Sequence, residues 1–232
     1  MDNIKKYYQK YPITHPAYIV ARLAGKYIRD RAEKYFSGKM IEIGCGDKSK
    51  QYLVGEFVRE HIGLDHEDTL HEKSNIDLLG TAYEIPQDNE SFDCILSTSV
   101  LEHLENPQSA LIEAFRVLRP GGYAIYTAPL FWHLHEEPRD FFRYTNYGLE
   151  YLFKSAKFEV VEITPLSGFW VTFGSELSYY IRDFGFGPFI YISRFVIFIN
   201  NIVFPFLNQL DQKLHHRTER WTWMYLIVAK KP

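Results

Sequence analysis

The chain has 232 residues, enough for one domain with some elaboration. An apolar share of 46% suits a packed core and argues against disorder, and a net charge of −3 excludes a general nucleic-acid footprint. Two cysteines, Cys45 and Cys94, exclude a disulfide framework and a spaced metal quartet, and they fit a reducing cytosol.

The opening stretch, "MDNIKKYYQKYPITHP", lacks the apolar core of a signal peptide, so a cytoplasmic location is expected. Residues 17–36 read as an amphipathic helix with Ile19, Leu23, Tyr27 and Ile28 on one face, stopped by Ser37-Gly38. Residues 1–38 then form a helical extension. Residues 40–43 make a short buried strand, 49–58 a helix, 61–64 a second strand and 75–79 a third. The run 92–97, "FDCILS", is continuously apolar, as expected of a strand buried on both faces of a parallel sheet. Pro107 opens a helix to Leu118 with Leu111 and Phe115 in line. "RPGG" breaks it, and "YAIYTA" is the next strand. Residues 146–154 read as a helix, 158–163 as a strand, and "MYLIVAKKP" as the last strand. This alternation predicts an α/β sheet with right-handed crossovers, whose ligands bind at the carboxyl ends of strands near a topological switch point.

The stretch "MIEIGCGDKSK" puts a glycine turn at that end of the first strand. It lacks the Gly-x-x-x-x-Gly-Lys-Ser/Thr of a phosphate loop. It also lacks the third glycine of a dinucleotide fold, which here is Ser49. Glu42, an acid beside the turn, would repel a pyrophosphate and attract a cation. Asp65 ends the second strand, where a carboxylate accepts hydrogen bonds from ribose hydroxyls. Together they point to a nucleoside with a positively charged tail, and they disfavour an NAD-linked oxidoreductase. The bland alternative is that Gly44 and Gly46 serve only a tight turn.

The order "IEIGCGDKS", "IGLDHE", "IPQDNESFDCILSTSVLEHL", "EAFRVLRPGGYAIYTAP" resembles the class I S-adenosylmethionine-dependent methyltransferases, over roughly residues 40–163 and the closing strand. The resemblance implies a Rossmann-like, doubly wound seven-stranded sheet, mostly parallel with an antiparallel last strand. It implies one methyltransferase domain over residues 1–232, with S-adenosyl-L-methionine as cofactor. It places Glu42, Gly44, Cys45 and Gly46 at the amino-acid end of the cofactor and Asp65 at the ribose. Gly80, Thr81 and Ala82 fall at the adenine-side turn, and Ser97 and Thr98 on the methionine side. Thr81 stands where many members carry an acid, and Lys48 where a glycine is common. Cys45, a small side chain in a crowded turn, is expected to be inert.

The stretch "PLFWHLHEEPRDFFRYT" follows the fifth strand and should overhang the cleft. It resembles a loop of methyltransferases associated with glycan and cell-envelope biosynthesis. His135 is the expected general base, Asp140 its orienting partner, and Arg143 and Tyr144 the groups that grip an anionic or sugar-like acceptor. The competing account has Arg139 and Arg143 pairing with Glu136, Glu137 and Asp140 to hold the loop shut. The spacing lacks the i, i+4 geometry of a zinc motif, so no metal is assigned. Glu102-His103, at a helix start, reads as structural.

Residues 165–221 form an aromatic-rich insert between the last two strands. Within it, 184–207 is nearly all apolar, with Arg194 its one charge. A buried lid or a dimer face is preferred there, with peripheral membrane contact second; a transmembrane passage would split the sheet. His215, His216 and Arg217 form a small basic edge behind it. The expected reaction is methyl transfer to a small-molecule, sugar or lipid-linked acceptor, on oxygen. The alternative is a non-catalytic cofactor-binding regulatory or scaffold module.

Overall fold

The sheet is built from the apolar runs in the order β3-β2-β1-β4-β5-β7-β6. Its strands are β1 (Lys39–Ile43), β2 (Glu60–Asp65), β3 (Leu78–Leu79), β4 (Phe92–Thr98), β5 (Leu118–Pro129), β6 (Glu159–Pro165) and β7 (Met224–Lys230). The helices are α1 (Asp2–Gln9), α2 (Tyr18–Tyr35), α3 (Gln51–Val54), α4 (Pro107–Val117), α5 (Asn146–Ser155), α6 (Phe169–Asp183) and α7 (Phe189–Leu214). The computed structural model describes residues 2–69, 73–214 and 218–232, so the expected basic edge at His215, His216 and Arg217 lies outside the described residues.

Parallel pairing joins β1 to β2 and β4, β2 to β3, and β4 to β5. The last strand is antiparallel. Gly121 N donates to Lys231 O and Lys231 N to Gly122 O, while Leu130 N donates to Trp223 O, so β7 begins where β5 ends. This is the expected sheet. Met40, Ile41, Ile95, Leu96, Ile125 and Ile227 are fully buried at its centre, as the continuous apolar runs require.

Local differences have local causes. The helix expected over 49–58 shrinks to α3 and a 3-10 turn, Gly55–Phe57. Asp47 Oδ1 accepts from Ser49 N at 3.0 Å, which holds the chain in a turn where helix was expected. "RPGG" ends α4 but does not interrupt the strand, because Gly121 (φ +80°) and Gly122 pair with Lys231 across the ladder. α4 starts where Asn106 accepts from Ser109 N and Pro107 takes the first turn. On α2 the buried positions are Ile19, Val20, Ala21, Gly25, Ile28 and Ala32; Leu23 and Tyr27 are only part-covered.

The chain divides into two compact units, where one domain with an extension and an insert was expected. One comprises Ile28–Pro129, Leu134–Thr164 and Tyr225–Pro232 and holds the sheet. The other comprises Met1–Tyr27, Leu130–His133 and Pro165–Met224. In this second unit α6 packs on α7. Gly174 permits the approach: a Cβ there would fall 2.4 Å from the Phe204 ring. Asn201 Nδ2 donates to Ile13 O and His15 O, which ties the N-terminal segment to α7. In the insert, where a buried lid or dimer face was expected, Phe189, Ile192 and Phe195 are more than half exposed.

Candidate functional site

The sheet reverses its order between β1 and β4, so the crevice beyond their carboxyl ends is the switch point of the fold. The glycine turn lies there. Gly44 and Gly46 have φ of +70° and +53°, a region costly for other residues, and a Cβ on Gly44 would fall 2.4 Å from Val100 Cγ2. Lys48, the residue standing where the resemblance expects glycine, also has positive φ, +56°. Its ammonium pairs with the Asp77 carboxylate, which also accepts from Gly63 N at 2.6 Å, and this offsets a backbone cost of roughly 1–2 kcal/mol.

Asp65 closes the turn from the neighbouring strand. Its Oδ2 accepts from Gly46 N at 2.7 Å and its Oδ1 from His66 N at 2.8 Å. Each carboxylate oxygen has a second lone pair, so both can accept from ribose hydroxyls as well. Glu42 is fully buried; His61 Nε2 lies 2.8 Å from its Oε2, and its Oε1 has no partner among the described residues. Ser97 Oγ, at the end of β4, is likewise buried without one. Buried polar atoms ordinarily find partners, so two such atoms beside the switch point mark where a polar ligand is received. His61 was not anticipated, because its pairing with Glu42 exists only through the β1–β2 register, in which Met40 faces His61.

Cys45 is buried, and burial, followed by the charges of Glu42 and Asp65, pushes its thiol up to about 12. Gly80 N donates to Asp65 O at 3.1 Å, which sets the start of the next turn. There Thr81 Oγ1 accepts from Tyr83 N and Glu84 N, so its hydroxyl holds the turn through Ala82. Thr98 ends β4, opposite Thr127 of β5.

The loop after β5 brings together a second group. Asp140 Oδ2 accepts from His135 N at 3.0 Å and lies 3.4 Å from His135 Nδ1. Arg143 forks onto the same carboxylate at 2.6 and 2.8 Å. The Arg143 guanidinium, more than any other group, holds the Asp140 carboxyl well below the usual carboxylate range. His135 and Asp140 thus form the expected dyad, whereas Arg143 serves the competing role of holding the loop. Tyr144 is a correction. Its ring is buried and its hydroxyl donates to Leu101 O at 2.8 Å, so it anchors the loop to the turn after β4 and does not face an acceptor.

Glu102 and His103 also need correcting, since they are part of this group. The rings of His103 and His135 meet edge to face at 4.6 Å, and His103 Nδ1 lies 2.6 Å from Arg139 O. Glu102, His103 and His135 each place one ligand-type atom within 4.8 Å of the others, a grouping the run 133–137 does not foreshadow. Glu102 is fully buried, neither carboxyl oxygen has a partner among the described residues, and burial pushes its carboxyl up to about 8. Burial therefore favours its neutral form. His133 Nδ1 lies 3.0 Å from Glu176 Oε2.

Residues 41–126 match the family model of a methyltransferase domain. The seven-stranded sheet and its glycine turn agree with that match, which spans 86 of the 232 residues. Over 96 residues the chain is 32% identical to a protein of Mycolicibacterium smegmatis named as a probable S-adenosylmethionine-dependent methyltransferase, covering 39% of this chain and 37% of that one. Over 120 residues it is 30% identical to the ubiquinone biosynthesis O-methyltransferase of Ruegeria pomeroyi, covering 47% and 48%. The chain thus spans about half the length, or less, of these curated relatives. Among solved structures, a SAM-dependent methyltransferase from Archaeoglobus fulgidus aligns with a TM-score of 0.57 at 19% identity, covering 89% of this chain and 94% of that one. The [4+2]-cyclase SpnF aligns with a TM-score of 0.56 at 17% identity, covering 89% and 80%. At these identities the likeness is one of fold.

The residues fit such a cofactor, S-adenosylmethionine: a glycine turn, the Asp65 carboxylate beside it able to accept from hydroxyls, and buried Glu42 Oε1 and Ser97 Oγ, which have no partner among the described residues. Asp65→Ala is expected to weaken S-adenosylhomocysteine binding by about 1.5–3 kcal/mol, the worth of hydrogen bonds to a charged acceptor. Titration calorimetry giving an unchanged affinity in a folded Asp65→Ala protein would remove Asp65 from the site.

Proposed function

We propose that the chain transfers the methyl group of S-adenosylmethionine to an oxygen of a small-molecule, sugar or lipid-linked acceptor. The observation that carries this reading is the His135–Asp140 dyad, set beside Glu102 in the loop and turn that leave the carboxyl ends of β5 and β4. The cofactor supplies an electrophilic methyl on sulfonium. Glu42 and Asp65 would hold the cofactor, with the turn backbone fixing its position. His135 would take the proton of the acceptor hydroxyl as the methyl passes to that oxygen, with S-adenosylhomocysteine as the leaving group. Asp140, anionic because of Arg143, stabilises the imidazolium that results. Orientation in a dry cleft supplies much of the rate. The ubiquinone biosynthesis relative, an O-methyltransferase by name, supports oxygen as the acceptor atom.

The second reading is a cofactor-binding module without turnover. It is favoured by the commitment of Arg143 and Tyr144 to the protein itself, and by a fold neighbour that is a cyclase. Incubation of the full chain with S-adenosylmethionine and a panel of phenol, sugar and polyprenyl-phosphate acceptors separates the two. Acceptor-dependent formation of S-adenosylhomocysteine supports transfer. Tight cofactor binding with no product from any acceptor supports the module.

A further inference from the structure

Helices α6 and α7 bury Val171, Ile197 and Phe204, yet they also bury polar side chains and leave much apolar surface exposed. α7 turns Ser193, Asn200, Asn201 and Asn208 inward, and α6 turns Gly174, Ser175 and Ser178 inward. Several of these groups bond to one another or to nearby backbone. Asn200 Nδ2 donates to Ser178 Oγ, Asn208 Oδ1 accepts from Gly168 N, and Ser178 Oγ donates to Gly174 O. The outer face of α7 carries Ile192, Phe195, Ile199, Ile202, Phe206 and Leu210, all exposed. Their spacing of three and four residues draws one stripe about 27 Å long. The turn between the helices continues it with Phe184 and Phe186, flanked by glycines and more than half exposed. By length and composition Phe189–Asp211 could cross a membrane, yet only 28% of its most apolar window is buried, unlike the core helix of a globular protein. An apolar patch of this extent marks an interaction surface.

We propose that the α6–α7 hairpin docks on an anionic lipid surface, lying in the plane of the membrane with the α7 stripe and the phenylalanine turn among the acyl chains. Charge selects this occupant. The unit that bears the stripe carries ten Lys and Arg against five Asp and Glu, whereas the sheet unit carries sixteen against twenty-four. Positive charge is therefore concentrated on the unit with the apolar face. The α6–α7 hairpin itself is balanced, three Lys and Arg against three Asp and Glu, and the excess lies in the other segments of the unit; anionic headgroups complement the unit's net charge. Arg194, exposed and within the stretch, has a stem long enough to reach headgroup level while its neighbours insert. The inward asparagines and serines and Pro205 fit a helix pair lying at the interface better than one crossing the hydrocarbon. This inference stands apart from the proposed activity and does not depend on turnover.

The test is flotation of the full chain with vesicles of phosphatidylcholine alone and with about one-third phosphatidylglycerol. Strong binding to the anionic vesicles, weakened by salt, is expected. Phe186→Ser combined with Phe195→Ser and Ile202→Ser should lower it about tenfold or more while the thermal melt is kept, since these side chains are exposed. A second measurement avoids reliance on that variant. Ile202→Cys carrying an environment-sensitive fluorophore should blue-shift on the anionic vesicles; native Cys45 and Cys94 are buried and escape the label. Equal binding to both vesicles, no binding to either, or an unshifted label would overturn the proposal. So would a stable dimer in lipid-free sedimentation that the triple variant dissociates while vesicle binding persists.

Discussion

His135→Ala is expected to lower the rate of methyl transfer by about 10²–10⁴-fold, the usual worth of a positioned general base. The Michaelis constant for S-adenosylmethionine should change little, because His135 belongs to the loop after β5 and the cofactor turn is built from β1 and β2. The expectation rests on geometry: Asp140 Oδ2 lies 3.4 Å from His135 Nδ1 and is fixed by the Arg143 fork. That arrangement directs the Nδ1–H at the carboxylate and leaves the base role to Nε2. Asp140→Asn should reproduce part of the loss by removing the charge that steadies the imidazolium. Single-turnover rates on His135→Ala that match the parent chain would defeat the base assignment. Proximity to an acceptor already ionised, such as a carboxylate, would then carry the reaction.

Glu102→Gln should change how stability depends on pH. In the fold this carboxyl ionises near 8, against an ordinary 4.5, because it is buried. Between those values the folded chain keeps a proton that the unfolded chain has lost. Stability therefore falls as pH rises from about 4.5 to about 8. Glutamine has no charge to bury. The variant should match the parent near pH 4.5 and exceed it by up to about 4 kcal/mol at pH 8, reading the shift at 1.36 kcal/mol per unit. Urea unfolding at both pH values measures this. Parallel profiles for the two proteins would mean that Glu102 ionises normally, through a partner that its surroundings do not disclose.

The two residues also show where reading the chain by itself stops. Strands such as β4 were legible because continuous burial leaves a continuous apolar run, and β1 because its glycine turn needs positive φ. The His135–Asp140 dyad was legible because five residues of loop hold it. Glu102 and His103 were not, because they reach His135 only through the fold, 32 or more positions later in the chain. Their positions at a helix start look structural in any linear reading. His61 stayed hidden for the same reason, since only strand register brings it to Glu42. The failure at α7 has another cause: hydrophobicity shows that a helix has an apolar face, but not whether that face turns inward. The Ser and Asn positions of the opposite face decide it, and their bonds to Gly168, Ser178 and the N-terminal segment are tertiary.

Cys45 sits between the two glycines of the turn, and a thiolate there would compete for any alkyl donor bound at the turn. With its thiol pushed up to about 12, only on the order of one molecule in 10⁴–10⁵ carries that thiolate at neutral pH. The carboxylates that make the turn receptive to a cation are among the causes of that shift. Burial first, and the carboxylates of the turn second, thus keep this thiol protonated beside a turn that would receive a sulfonium donor.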